Sequence, residues 1–144
     1  NTATWLKSHI FNGQTTALNL GLEKMINQNK DCIGKILAQR PEMNKEDEMR
    51  LVGFRPKNKG DKLVAGAHFL DKGAREIIEN DLGWMSSVCF SPILDDYIGL
   101  GFIKNGNQRM GDIVHAYDKM RHNSLDVKIC SPHFVDPEGD RVRG

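Results

Sequence analysis

Apolar and polar positions alternate with a period of two over much of the second half of the chain. Ile98, Leu100 and Phe102 fall on one face of such a run, and Tyr97, Gly99, Gly101 and Ile103 fall on the other. Leu125, Val127 and Ile129 alternate in the same way with Ser124, Asp126, Lys128 and Cys130, and Ile113-Val114 starts a further short run. This is the spacing of half-buried strands. Two glycines on one strand face leave no side chain there, so another backbone or a bulky ring can come close. Asn105-Gly106 predicts a tight primed turn, because such a turn needs positive φ and this pair supplies it cheaply. The stretch from Gly83 to Gly144 is therefore expected to form three or more antiparallel strands in a small closed or folded-over sheet.

Upstream the pattern changes. Leu18, Leu22, Met25 and Ile26 have the spacing of one helical face between Ala17 and about Asn29. Asp31 is placed to cap a second helix, in which Ile33, Ile36 and Leu37 make a short stripe closed by Pro41. Residues 42–49 are charged and without a clear period, as expected of a linker. Arg50 to Phe54 begins the β part. Residues 55–62, with Pro56, Asn58, Gly60 and lysines, read as a solvated loop, and Leu63, Ala65, Ala67 and Phe69 then alternate with Val64, Gly66, His68 and Leu70. Asp71-Lys72-Gly73 is a turn. Ala74 to Asn80 fits either a strand or one helical turn. Near the start, Trp5, Leu6, Ile10 and Phe11 are apolar enough to pack or to be left exposed by a missing partner, and Phe11-Asn12-Gly13-Gln14 reads as a turn. The resulting division is a short helical segment with its linker over 1–49 and a mainly β domain, a small antiparallel barrel or jelly roll, over 50–144.

Composition narrows the partners. The 144 residues suffice for one domain, or for one domain with a fragment of another. Twenty basic residues against 19 acidic ones leave a net charge of +1, so no long-range field for nucleic acid or an anionic membrane is expected. No apolar run approaches the roughly 18 residues of a spanning helix, and no secretory signal is visible. Cys32, Cys89 and Cys130 are odd in number and far apart, which speaks against a disulfide framework and for a reducing, cytoplasmic setting. The chain begins at Asn1 without an initiator Met, as a piece of something longer would.

Candidate chemistry is sparse. His9, His68, His115, His122 and His133 stand in no metal-ligand spacing with one another or with a cysteine, so no metal site is expected. Cys130 and His133 are close in sequence, but a nucleophilic pair would also need alignment and an orienting group, and a core or edge cysteine is the simpler reading. Gly99-Leu100-Gly101 lies inside an apolar strand and suits close packing better than a phosphate loop. Asp95-Asp96 is a paired carboxylate at a position where aspartates usually serve turns. Trp84, after a glycine, could stack on a flat ligand ring or anchor packing. Arg109 could pair with a carboxylate of a ligand or of a partner, or remain a solvated hairpin arginine. No catalytic residue is assigned.

Several pieces of the chain together resemble the aminomethyltransferase (glycine-cleavage T-protein) superfamily. They are Leu51-Val52-Gly53-Phe54, Gly83-Trp84-Met85-Ser86-Ser87, Ser91-Pro92, Ile98-Gly99-Leu100-Gly101, Arg109-Met110-Gly111-Asp112, Ser131-Pro132-His133-Phe134 and Asp136-Pro137-Glu138-Gly139. The last piece resembles the heterotetrameric sarcosine oxidase α-subunit branch. Upstream, Leu20-Gly21-Leu22, Lys30-Asp31-Cys32-Ile33-Gly34-Lys35 and Arg40-Pro41 resemble the segment leading out of that family's central folate-binding domain. The resemblance implies a C-terminal β-barrel that caps the tetrahydrofolate-binding part of an α subunit. The whole complex would oxidise sarcosine at a flavin and pass the imine carbon to tetrahydrofolate, giving 5,10-methylenetetrahydrofolate. FAD, FMN and NAD would sit elsewhere in that complex, with none expected on this piece. Its partners would be the remaining α-subunit domains and the other subunits. Trp84 and Arg109 would then lie in the folate neighbourhood, and this piece alone would be inactive. The alternative is a stand-alone aminomethyltransferase-like β module that acts by protein–protein interaction.

Overall fold

The computed structural model describes residues 15–27, 29–41 and 48–140. The alternating runs form β1 (Met49–Pro56), β2 (His68–Leu70), β3 (Gly83–Ser91), β4 (Asp96–Lys104), β5 (Ile113–Asp118) and β6 (Asn123–Cys130). All pairings are antiparallel, and the strands close into a barrel in the order β1-β4-β3-β2-β5-β6.

Alternation decides what lies inside. Val52 and Phe54 of β1, Phe69 of β2, Met85 of β3, Ile103 of β4, Val114 and Ala116 of β5, and Val127 and Ile129 of β6 share one buried cluster. Phe54 and Phe69 stack across the interior with centroids 4.2 Å apart and planes 20° apart, an arrangement that adds about 0.5–1.5 kcal/mol to the burial of the two rings. The glycine face of β4 turns inward. A Cβ at Gly101 would run into the Trp84 carbonyl oxygen and stand 3.0 Å from Phe54 Cε2; one at Gly99 would meet Met85 Sδ. The missing side chains are filled by β3 and by the Phe54 ring. Met85 faces Gly101 and Val88 faces Gly99, with a register shift between Met85 and Ser87. That bulge at Ser86 lets two residues three apart both point inward.

The outside of the barrel is partly dressed by the described segments that flank it. Gly53 faces outward, and a Cβ there would collide with the Ser131 carbonyl oxygen and the Phe134 ring, 2.7 Å from Cζ. The tail after β6 thus lies flat on β1. At the start of β1, Leu51 N donates to Asn19 O at 2.7 Å and Asn19 Nδ2 donates to the Met49 carbonyl at 2.8 Å. The Arg50 guanidinium donates to the Leu18 carbonyl.

Several expectations change. The helical face over 17–29 reduces to turns and a single 3-10 turn at Glu23–Met25. Gly21, at φ +70°, interrupts it, and Leu22, Met25 and Ile26 stay exposed. The second helix, α1 (Lys35–Ala38), starts after Gly34 at φ +93°; Asp31 is not its cap and instead pairs with Lys35 at 3.6 Å. Ile33, Ile36 and Leu37 are exposed. So short a helix recovers little of its nucleation cost. The run from Leu63 to Leu70 is a strand only at its end; Leu63, Ala67 and Phe69 are buried as the alternation required, but Ala65 on the same expected face is exposed and Leu70 on the opposite one is buried. Asn105 does take φ +56°, but no hairpin forms there, because both edges of β4 are occupied by β1 and β3. Residues 105–112 are instead a loop that carries the chain from β4 to β5. Met49, read as linker, is the first residue of β1, and a 3-10 turn at Ile78–Asn80 resolves the ambiguous 74–80 segment. The expectations for residues 1–14 and for the linker at 42–47 lie outside the described residues.

Candidate functional site

Antiparallel order places the starts of β1, β3 and β5 and the ends of β2, β4 and β6 at one rim. The connections 71–82 and 105–112 and the tail after Cys130 gather there. Trp84 and Arg109 belong to this rim by different routes.

Trp84 is the second residue of β3 and points outward, since its neighbour Met85 fills the core. Gly83 before it sits at φ +149°, and a Cβ there would strike the Phe102 carbonyl oxygen, so β3 can begin this close to β4 only with glycine. Register then lines up an aromatic row on the outer face. Phe102 and His68 both pair with Trp84, and His68 also pairs with Tyr117. Trp84 and Phe102 are tilted with centroids 5.6 Å apart, and His68 and Tyr117 lie 6.1 Å apart. Trp84 is half-buried, which leaves part of its ring available.

Asp81 organises the polar side of this row. Its Oδ2 lies 2.7 Å from His68 Nδ1, its Oδ1 accepts the Gly83 N–H at 3.0 Å, and its carbonyl accepts Lys104 Nζ at 3.1 Å. Such a carboxylate fixes the imidazole's orientation and leaves Nε2 for other use. Burial pushes the Tyr117 hydroxyl above its ordinary range, and the charges of Asp81 and Glu76 act in the same direction. Tyr117 therefore stays a neutral donor. Sequence reasoning missed the Asp81–His68–Tyr117 group, because its members sit on three separate elements and only strand register unites them.

Arg109 lies in the 105–112 loop. Its guanidinium pairs with Asp71 of the Asp71–Gly73 turn, and its Nε is 3.7 Å from Asp112 Oδ2. It ties two rim loops together and is mostly shielded from solvent. Trp84 and Arg109 have separate partners. The remaining candidates behave as turn and surface groups. Asp95, at φ +49°, pairs with Lys59 at 2.9 Å, and Asp96 is buried, accepting the Gly60 and Tyr97 N–H groups. Cys130 is half-buried, and burial pushes its thiol up. The backbone N–H of His133 donates to Ser131 Oγ at 3.2 Å. His115 meets Asp126 at 3.3 Å, and His122 occupies a left-handed turn position. Among the described residues no group of three or more His, Cys, Asp or Glu side chains could hold a metal ion.

The fold is thus a small closed β-barrel whose recognisable sequence pieces serve its construction: Gly53 receives Phe134, Gly83 admits β3, and Gly99 and Gly101 receive Met85 and Phe54. Residues 49–136 match the glycine cleavage T-protein C-terminal barrel domain, and the chain belongs to that family. It is 33% identical over 141 residues to the sarcosine oxidase subunit alpha of Rhizobium meliloti (strain 1021), covering 94% of this chain and 14% of that protein. It is 31% identical over 134 residues to the sarcosine oxidase subunit alpha of Corynebacterium sp. (strain U-96), covering 92% of this chain and again 14% of the relative. The chain therefore spans about a seventh of the length of these relatives. Among solved structures, the aminomethyltransferase T of the Bartonella henselae glycine cleavage system aligns with a TM-score of 0.68 at 19% identity, over 85% of this chain and 32% of that one. That likeness speaks to fold. No helix among the described residues is long and apolar enough to cross a membrane.

Proposed function

We propose that this chain is the closing C-terminal barrel of a sarcosine oxidase-type α subunit, with residues 50–144 as the barrel domain and 1–49 as the tail of an upstream folate-binding domain with its linker. In that role it caps a tetrahydrofolate-binding part and contributes to the capture of a one-carbon unit as 5,10-methylenetetrahydrofolate. The similarity to two sarcosine oxidase α subunits across more than nine-tenths of the chain carries this reading. Exposed Leu22, Met25, Ile33 and Ile36 upstream of the barrel suit packing against such a domain. Trp84 and Arg109 are the residues assigned to the folate neighbourhood. Trp84 offers a partly free ring for stacking, and Arg109 can exchange Asp71 for a ligand carboxylate. Chemistry at flavin and NAD belongs to other parts of the complex.

The test uses the complete α subunit within its assembled complex. Sarcosine oxidation delivers an imine carbon that either reaches tetrahydrofolate or is hydrolysed to formaldehyde. Trp84→Ala is expected to leave the rate of sarcosine oxidation within about twofold while raising the formaldehyde share at limiting tetrahydrofolate, as loss of a stacking contact of about 1 kcal/mol would. An unchanged product ratio in both Trp84→Ala and Arg109→Ala removes these residues from the folate neighbourhood. An intact complex that forms no 5,10-methylenetetrahydrofolate removes the reading itself.

A further inference from the structure

On the barrel face formed by β1, β6 and β5, Arg55 stands directly opposite Lys128 in the antiparallel ladder. Directly opposed like charges destabilise a sheet, and neither side chain has an ion-pair partner among the described residues. Both point outward, because Phe54, Val127 and Ile129 on either side of them fill the core. Lys57 follows Arg55 on the same face, His115 lies across from Asp126, and Ile113 pairs with Lys128. Lys72 is close enough to act on Asp126. Asp126 is the one carboxylate among these groups; it already serves Lys57 and His115, both at 3.3 Å. Arg55, Lys57 and Lys128 thus collect on one face of a chain whose net charge is only +1, with Lys72 at the neighbouring rim.

We propose that this face docks an acidic polypeptide segment of a protein partner, with Arg55 and Lys128 receiving neighbouring carboxylates. Three observations favour a polypeptide over a polyphosphate. The central Asp126 would repel a dense phosphate array. The weak overall charge gives no long-range attraction for nucleic acid. Ile113, 41% exposed and in register with Lys128, supplies an apolar contact at the margin of the cations, a mixture common in protein interfaces. A carboxylate between Arg55 and Lys128 would also convert their repulsion into two charge-assisted contacts.

The experiment titrates the chain with an oligoglutamate peptide, an oligothymidylate and phosphatidylglycerol vesicles at low ionic strength. Saturable peptide binding is expected, weakened at least about tenfold by Lys128→Glu and further by adding Arg55→Glu. Lys128→Glu alone should leave the melting temperature unchanged or raise it by about 1–2 °C, because the introduced carboxylate would then face Arg55 as an opposite charge. Lys59→Glu alters the net charge equally, but Lys59 already pairs with Asp95 beside β4, on the flank of β1 away from β6, so peptide binding should persist. Loss of binding in Lys59→Glu as complete as in Lys128→Glu would reduce the effect to net charge and overturn the proposal. So would absent peptide binding, or equally tight binding of the oligonucleotide or vesicles.

Discussion

Replacing Gly101 by alanine tests how the barrel wall is built. The new methyl would press on the Trp84 carbonyl oxygen, on Met85 Cα at 3.1 Å and on Phe54 Cε2 at 3.0 Å. Two of these three atoms are backbone in the strand that β4 pairs with over most of its length, so relief requires moving β3 away from β4. Burying one methyl returns about 0.8 kcal/mol, whereas overpacking of this kind costs about 1–3 kcal/mol, and the backbone contacts put Gly101→Ala at the upper end. A net loss of about 2–3 kcal/mol corresponds to a melting temperature lower by about 10 °C in a domain of this size. Gly106→Ala is the comparison. Its Cβ would meet only side-chain atoms, Val52 Cγ1 at 2.8 Å, Arg50 Cβ at 3.0 Å and Ile103 Cγ2 at 3.2 Å. Part of that contact can be relieved by rotation, for a cost of about 1 kcal/mol. Urea unfolding with unchanged m-values, followed by circular dichroism, measures both. A Gly101→Ala variant within about 0.5 kcal/mol of the parent chain, or a Gly106→Ala variant that costs as much as Gly101→Ala, would refute this account of the barrel wall.

Two further outcomes follow from titrating groups. The Arg121 guanidinium beside Asp118, helped by the Arg121 and Met120 N–H groups and opposed by desolvation, holds the Asp118 carboxyl below its usual range. A depressed folded pKa means that this contribution is complete above the unfolded carboxylate value of about 3.9 and fades as pH falls through the lower folded value. Asp118→Asn should therefore flatten the loss of stability below about pH 4, and an unaltered acid limb in urea midpoints would contradict it. Burial pushes the Cys130 thiol up despite Arg55 and Lys128, while Cys32 and Cys89 are exposed. At pH 8 an aromatic disulfide reagent should modify Cys32 and Cys89 at least about tenfold faster than Cys130; equal rates for all three would refute this.

The strands were readable because period-two alternation directly encodes an inside and an outside. β6 follows it closely, whereas in β4 the Ile98, Leu100 and Phe102 face turns outward with Phe102 nonetheless buried beside Trp84, and it is the glycine face, expected to receive a neighbour, that turns inward. In β3 the alternation breaks, because the Ser86 bulge shifts it by one, and only pairing with β4 shows why Met85 and Val88 both point inward. The Asn105-Gly106 signal described local φ correctly at Asn105 but could not foresee that both edges of β4 were already taken. The upstream helices failed for a related reason: their stripes are real, yet α1 is four residues long and its apolar side chains are in solvent. Periodicity marks a face without supplying the surface that would hold it. Of the candidate site, Trp84 and Arg109 were visible as residue types, whereas Asp71, Asp81, His68 and Tyr117 became their surroundings only through ladder register and loop closure.

Strand β1 hydrogen-bonds to β6. Gly53 to Pro56 find their partners in Val127 to Cys130, so the ladder stays unfinished until β6 has left the ribosome. Synthesis that stops after β5 would leave two raw strand margins at once, each a template for mispairing with another nascent chain. Premature termination in this region should consequently yield insoluble product rather than a shortened but usable domain.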